Sequence, residues 1–231
     1  YNQIGRKAFI WLNYPVNDYC ISRMLMGPTF GDDLNIANDL SGYTSNPMEY
    51  AEASMLSLYS VADYTWNMAD YDSNASWERA IKYLMPENAD AFKVFCENNV
   101  DLGVNTHGLR RTNESPRFVA ASKDFDAKMA GGYNAEAIEK VRAEFDLLVS
   151  AADQLLATSE SPELMAEITP WVKVMRHVGE RGQLLCNLFE HINNENPEAF
   201  IDDYLKILDL TEAQRSVLSR DFPGSIKSPN P

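Results

Sequence analysis

Phe9-Ile10-Trp11-Leu12-Asn13-Tyr14-Pro15-Val16-Asn17-Asp18-Tyr19 begins as an apolar run and ends as a polar, aromatic loop. Residues 8–12 have the composition of a strand buried on both faces, and Pro15 breaks that pattern. A buried strand that ends in polar and aromatic groups is how a parallel α/β barrel builds a site, because ligands sit at the C-terminal ends of its strands. Taken alone, the stretch reads equally well as an ordinary strand followed by a polar turn. The pattern recurs at Ser41-Gly42-Tyr43-Thr44-Ser45-Asn46-Pro47, a second β-prone segment ending in Asn-Pro directly before a long helical pattern. That recurrence favours the barrel.

Between the two segments, residues 19–39 are irregular. Gly27-Pro28 and Gly31-Asp32-Asp33 are turn chemistry, with a short helical stretch at 34–40. After the second segment a helix is predicted to about residue 67. Pro47 would sit at its first position, with Glu49 and Glu52 in its first turns at the positive end of the dipole. Ala51, Met55, Leu58, Val61 (or Ala62) and Thr65 would form its buried stripe. Helices follow at 76–84, stopped by Pro86, and at 89–98. Residues 103–115 are polar and aperiodic, hold His107 and Arg110-Arg111, and mark the domain boundary.

From Ser115 onward no strand is legible. A helix at 118–129 closes at Gly131-Gly132, and Asn134 caps the next, in which Ile138, Val141, Phe145, Leu148, Ala152 and Leu155 recur three and four apart. Ser161-Pro162 starts a third, carrying Leu164, Ile168, Trp171, Met175, Val178, Gly182, Leu185, Phe189 and Ile192. Pro170 inside it predicts a kink. Pro197 opens a fourth with Phe200, Ile201, Tyr204, Leu205 and Leu208, and 211–220 adds a last turn or two. This is the seam pattern of a helical bundle, whose apolar stripes are core and not a cofactor pocket.

The 231 residues carry a net charge of −14 and are 45% hydrophobic, enough for a sizeable core. No basic cluster offers the face that nucleic acid or an anionic membrane surface requires. Cys20, Cys96 and Cys186 lie far apart without metal-ligand spacing and read as isolated buried thiols. No apolar run approaches the roughly 18 residues needed to span a bilayer. With Tyr1 in first place, the chain reads as a piece excised from something longer.

Few residues advertise chemistry. His177 and His191 share a helix without an acidic or Cys partner at metal spacing, and His107 has no nameable partner. There is no nucleophile elbow, P-loop or dinucleotide fingerprint. Adjacent acids, the pairing that glycoside hydrolysis uses, occur at Asp32-Asp33 and Asp202-Asp203. A turn explains the first pair and a solvated helix face the second.

Trp11, Asn13 and Asp18, then Gly27-Pro28, then Ser45-Asn46-Pro47, occur in an order that resembles glycoside hydrolase family 84, the β-N-acetylglucosaminidases of the O-GlcNAcase and bacterial hexosaminidase group. The similarity extends through Asp101-Leu102-Gly103, His107-Gly108 and Arg110-Arg111 into Glu167-Ile168-Thr169-Pro170-Trp171-Val172, and is weakest after about residue 193. The resemblance implies that Trp11 backs the pocket for a 2-acetamido group and that Asn13, Asp18 and Asn46 hydrogen-bond the sugar. It implies no cofactor and no metal. It also implies a substrate-assisted mechanism, in which one Asp of an adjacent pair orients the substrate's acetamide and the other is general acid and then base. In the family that pair lies well upstream of the Trp-x-Asn strand, and only ten residues precede Trp11 here. Asp32-Asp33 does not align with it.

The fold expected is therefore mainly α: the last two strands and closing helices of a (β/α)8 TIM barrel over residues 1–110, then a post-catalytic helical bundle over 111–231. The function expected is that of part of a retaining β-N-acetylglucosaminidase acting on terminal β-linked GlcNAc of glycoproteins or glycans, inactive in this chain alone. A bacterial relationship would make it secreted or periplasmic. The rival reading is a non-catalytic helical interaction module. Open strand edges predict a homodimer.

Overall fold

The computed structural model describes residues 5–18, 23–100 and 114–221, with side chains in the last helix described to residue 217. In chain order the elements are β1 (Ala8–Leu12), a 3-10 turn (Ala37–Asp39), β2 (Leu40–Ser45), α1 (Ala51–Trp66), a second 3-10 turn (Met68–Asp70), α2 (Ser73–Leu84), α3 (Ala89–Glu97), α4 (Pro116–Met129), α5 (Ala135–Ala157), α6 (Pro162–Asn193) and α7 (Pro197–Asp221). The chain is mainly helical, and its described residues hold one two-stranded sheet. They form two compact units. The first holds the chain up to Ala89, Asn99–Glu114 and Glu160–Glu167, and the second holds Asp90–Asn98, Ser115–Ser159 and the chain from Ile168.

In the first unit β1 and β2 pair in parallel, Ile10 opposite Tyr43 and Leu12 opposite Ser45. Gly42 faces Phe9, where a Cβ would stand 2.4 Å from the ring and force it aside. Contrary to the expectation of a strand buried on both faces, Phe9 is 64% and Trp11 67% exposed. A strand is buried twice only when it has neighbours on both edges and layers on both faces, and among the described residues β2 is the one strand beside β1.

Part of the irregular stretch between the strands is buried in this unit's core. Met24, Leu25 and Met26 are buried, and a buried loop must have its backbone polar groups satisfied. Side chains do this. Ser57 donates to the carbonyls of Leu25 (2.8 Å) and Gly27 (2.9 Å), the Trp77 indole to Met26 (2.8 Å), Tyr14 to Gly27 (2.5 Å) and Tyr71 to Thr29 (2.6 Å). The Ser60 hydroxyl accepts from the Thr29 amide at 2.8 Å.

This rotates α1 away from the face its apolar pattern predicts. Ala51, Met55 and Ala62 face outward, while Ala53, Leu56, Val61 and Tyr64 are buried together with Ser54, Ser57 and Ser60. Small hydroxyls can approach a loop closely and bond to it, so a polar row becomes the inner row. The helix also starts at Ala51, not Pro47: Ser54 accepts from the Met48 amide (3.1 Å) and donates to the Tyr50 carbonyl (2.7 Å), shaping the lead-in as a turn. Glu167 supplies the cap, accepting from the Ala53 amide at 2.8 Å. A carboxylate suits that end of the helix dipole.

In the second unit Phe118, Phe125, Met129 and Phe145 pack around Ile138, Val141 and Cys186. Asn134 caps α5 as its sequence position predicts, accepting from the Ala137 amide at 2.9 Å. Pro170 lies inside α6, which continues through it as one helix. The α6 stripe is buried at Ile168, Trp171 and Met175 but drifts outward by Leu185 (45% exposed) and Ile192 (63%), where Cys186 and Leu188 take the inner positions. α7 departs further. Its expected core row is open, with Ile201 55%, Tyr204 47%, Leu205 53% and Leu208 47% exposed.

Asp203, read from sequence as solvated, is buried instead at 7% exposure. It accepts from Asn187 (2.9 Å) and Lys206 (2.7 Å) and lies 3.2 Å from His191 Nε2. Beside it Arg142 of α5 binds Asn187 and Glu190 of α6, each at 2.7 Å. A compensated polar network therefore docks α7, and its apolar row is left outside.

Candidate functional site

Asn13 follows the last residue of β1 and Asn46 the last of β2, so the parallel register sets the two amides side by side. The ladder runs on past both, Asn46 N–H to Leu12 O and Val16 N–H to Asn46 O, each 2.9 Å. Trp11 Nε1–H donates to Asn13 Oδ1 at 2.9 Å, and Asn46 Nδ2 donates to the same oxygen at 3.4 Å. Three of the four residues predicted to hold a ligand thus form one hydrogen-bonded cluster at the C-terminal ends of two parallel strands.

That wiring decides what each group can offer. The Asn13 oxygen is already used twice, which leaves its two Nδ2 donors for a ligand and the Oδ1 of Asn46 as an acceptor. The amide orientations follow from these bonds. The Trp11 N–H is committed, so its indole offers a face, and at 67% exposure that face is open. The backbone under the cluster is fixed by Ser45 Oγ, which donates to the Tyr14 carbonyl, and by buried Asn17, whose Nδ2 donates to the Arg23 carbonyl at 2.5 Å. Donors, an acceptor and an apolar face thus lie together at the ends of two adjacent strands.

Asp18 is not joined to the three. It is exposed, and no described hydrogen bond links it to them. Tyr19, Cys20, His107, Arg110 and Arg111 lie outside the described residues.

The remaining acids behave structurally. Asp33 Oδ1 accepts from the backbone and side-chain amides of Asn35 (2.8 and 3.2 Å), as a turn residue does. Asp32 accepts from Tyr43 at 3.1 Å. Burial, and then the charges of Asp32 and Asp33, raise the Tyr64 phenol above its ordinary value. Asp203 is held down to about 2, chiefly by the Lys206 ammonium. Cys96 and Cys186 are buried free thiols, and burial pushes the Cys186 thiol up to about 11, so neither is poised as a nucleophile. Among the described residues no group of three or more His, Cys, Asp or Glu is arranged to hold a metal, and no helix is long and apolar enough to cross a membrane.

Sequence reasoning missed Ser45, Ser54, Ser57 and Ser60, which position the loops around the site. The signal for the last three is a three-residue spacing of hydroxyls (54, 57, 60) along α1. Glu167 was missed too, because its partner lies 114 residues away in the chain.

The chain is similar to known proteins along most of its length. Residues 1–97 match a family model described as beta-N-acetylglucosaminidase, and residues 112–217 match one described as the bacterial GH84 post-catalytic domain. The solved structure of CpGH84D is 28% identical, with a TM-score of 0.84 over 92% of this chain and 36% of that one. CpGH84B is 26% identical, with a TM-score of 0.81 over 93% and 37%. An O-GlcNAc hydrolase mutant from Thermobaculum terrenum, 22% identical with a TM-score of 0.74 over 95% and 45%, shares the fold. The chain thus spans between 36% and 45% of the length of these structures.

Proposed function

This chain belongs to glycoside hydrolase family 84, and from that premise we propose that it is the part of a retaining β-N-acetylglucosaminidase that grips terminal β-linked GlcNAc on glycoproteins or glycans. The parent is a glycoside hydrolase. The observation that carries the proposal is the Trp11–Asn13–Asn46 cluster at the ends of adjacent parallel strands. In this reading β1 and β2 are the last two strands of a (β/α)8 barrel within residues 1–110, and residues 111–231 are the post-catalytic bundle. Ligands of such barrels sit where this cluster sits.

The Trp11 indole face would lie against the acetamido methyl group, and Asn13 Nδ2, Asn46 Oδ1 and the Asp18 carboxylate would bond to sugar hydroxyls. The substrate's own acetamide oxygen would attack the anomeric carbon, assisted by an acid pair not among these groups. Asp32 and Asp33 are occupied by Tyr43 and Asn35 and are not proposed for that role. The chain alone would therefore bind without turning over.

The test is turnover of an aryl β-N-acetylglucosaminide by this chain and by a longer chain carrying a full barrel. Activity confined to the longer chain, and lowered on Asn13→Ala, supports the reading. Turnover by this chain alone refutes it. A second reading, a helical interaction surface, is favoured by the exposed row Ile201, Tyr204, Leu205 and Leu208. Self-association through that row or the open β1 face predicts a dimer in light scattering, and a monodisperse monomer counts against it.

A further inference from the structure

The stretch Glu167-Ile168-Thr169-Pro170-Trp171-Val172 carries part of the family resemblance but has so far no task in the sugar site. Residues Glu160–Glu167, which run into the first turns of α6, belong to the first unit. Side chains build them in at three places. Glu160 accepts from the backbone amides of Glu87 (2.9 Å) and Asn88 (3.1 Å), just before α3. Ser161 donates to the Leu84 carbonyl at the end of α2 (2.6 Å), and Glu167 accepts from the Ala53 amide in the first turn of α1 (2.8 Å). Leu164 and Met165, between these anchors, are buried. The Glu167 carboxylate is therefore a fixed group at the positive end of the α1 dipole.

The helix it caps begins shortly after Asn46, and the joints between are fixed. Ser54, next to Ala53, accepts from the Met48 amide at 3.1 Å and donates to the Tyr50 carbonyl at 2.7 Å. Met48 is 4% exposed, and its sulfur accepts from the Leu25 amide at 3.5 Å. Pro47, between Met48 and Asn46, has its φ locked by its ring. On the strand side the ladder holds the Asn46 backbone, through Asn46 N–H to Leu12 O at 2.9 Å. The Asn46 side chain is held less firmly. Its one described bond, to Asn13 Oδ1, is 3.4 Å, which is long for N–H···O. The direction of that side chain follows the backbone that leaves the strand, and the far end of that backbone is fastened at Ala53.

We propose that Glu167 is a positioning residue for the sugar site: it fastens the start of α1 and so sets where the Asn46 amide points. The proposal rests on the reading of Asn46 as a sugar ligand. Glu167 itself touches no substrate, since its carboxylate is spent on the Ala53 amide.

The test has two arms. In a longer chain that turns over an aryl β-N-acetylglucosaminide, Glu167→Ala is expected to raise KM at least about threefold with kcat nearly unchanged, because a binding contact is misplaced while the folded fraction is kept. Glu167→Gln, which retains an acceptor, should restore most of the loss. Asp203→Asn, which destabilises through α7, should leave KM unmoved. In the present chain, without substrate, Glu167→Ala should speed amide exchange at Ala53 and shift the Asn46 side-chain amide resonances, and Glu167→Gln should do neither. An unchanged KM in Glu167→Ala overturns the proposal. So does an equal rise in Asp203→Asn, or faster exchange at Ala53 with the Asn46 amide unmoved. If the longer chain turns over no hexosaminide, the reading of the site fails, and the Asn46 amide in the present chain still decides whether Glu167 positions it.

Discussion

Asp203→Asn tests how α7 is held. The carboxylate is 7% exposed, with Lys206, Asn187 and His191 around it. These hold it at about 2 against an ordinary 3.8. A drop of nearly two units, at about 1.4 kcal/mol each, sets an upper figure of about 2 kcal/mol, and the exposure of the Lys206 side chain reduces it to about 1–2 kcal/mol. The sign follows from linkage. A carboxylate depressed in the folded state stabilises it fully above the unfolded value, and that contribution fades as pH falls from about 4 to about 2. Asparagine cannot titrate. Urea unfolding at neutral pH should therefore show the variant weaker by about 1–2 kcal/mol, with the gap to the parent chain closing as pH is lowered through that window. A gap that stays constant across the window would show that the Asp203 charge does not dock α7, and the reasoning would fail.

Three further outcomes follow from single contacts. Ser57→Ala strips the buried carbonyls of Leu25 and Gly27 of a shared donor and should lower stability by about 1–3 kcal/mol in urea, with an altered Trp77 emission because the neighbouring Met26 carbonyl shifts. Gly179→Ala would put a Cβ 2.9 Å from the Phe145 carbonyl oxygen, which as backbone yields little, so a loss of about 1–3 kcal/mol is expected by thermal unfolding. In an active longer chain, Trp11→Ala should raise KM for an aryl β-N-acetylglucosaminide more than Trp11→Phe does, because the indole face and not its committed N–H meets the ligand.

What the sequence shows and what it hides divide along a physical line. The strands, the Asn134 cap and the Pro197 start of α7 are written in local spacing and turn chemistry, and the structure has them within a residue or two. The inward face of α1 is not, because a hydropathy pattern counts Ser54, Ser57 and Ser60 as outward. Only knowledge that an aperiodic segment fills the core turns them inward. Asp203 is hidden for the same reason, since its partners at 187 and 191 matter only once two helices are side by side. At the site, Trp11, Asn13 and Asn46 are singled out by the resemblance their motifs carry, but the sharing of one oxygen depends on the parallel register, which no single segment contains. The structure gives Asp18 no such link.

One trade explains both units. Where polar side chains turn inward to satisfy a loop or a charge, apolar ones are displaced outward: Met55 on α1, and Ile201, Tyr204, Leu205 and Leu208 on α7. At about 25 cal/mol for each Å² removed from water, an open row of four large side chains contributes none of the stabilisation that its burial would give. The docking network supplies the attachment that the row does not: Asp203 has Asn187, His191 and Lys206, and Asn187 is in turn bonded to Arg142, itself paired with Glu190. Removing one member leaves buried charge behind, whereas covering the row would only add to stability. The face of α7 that can gain from a contact is therefore the one already turned to solvent.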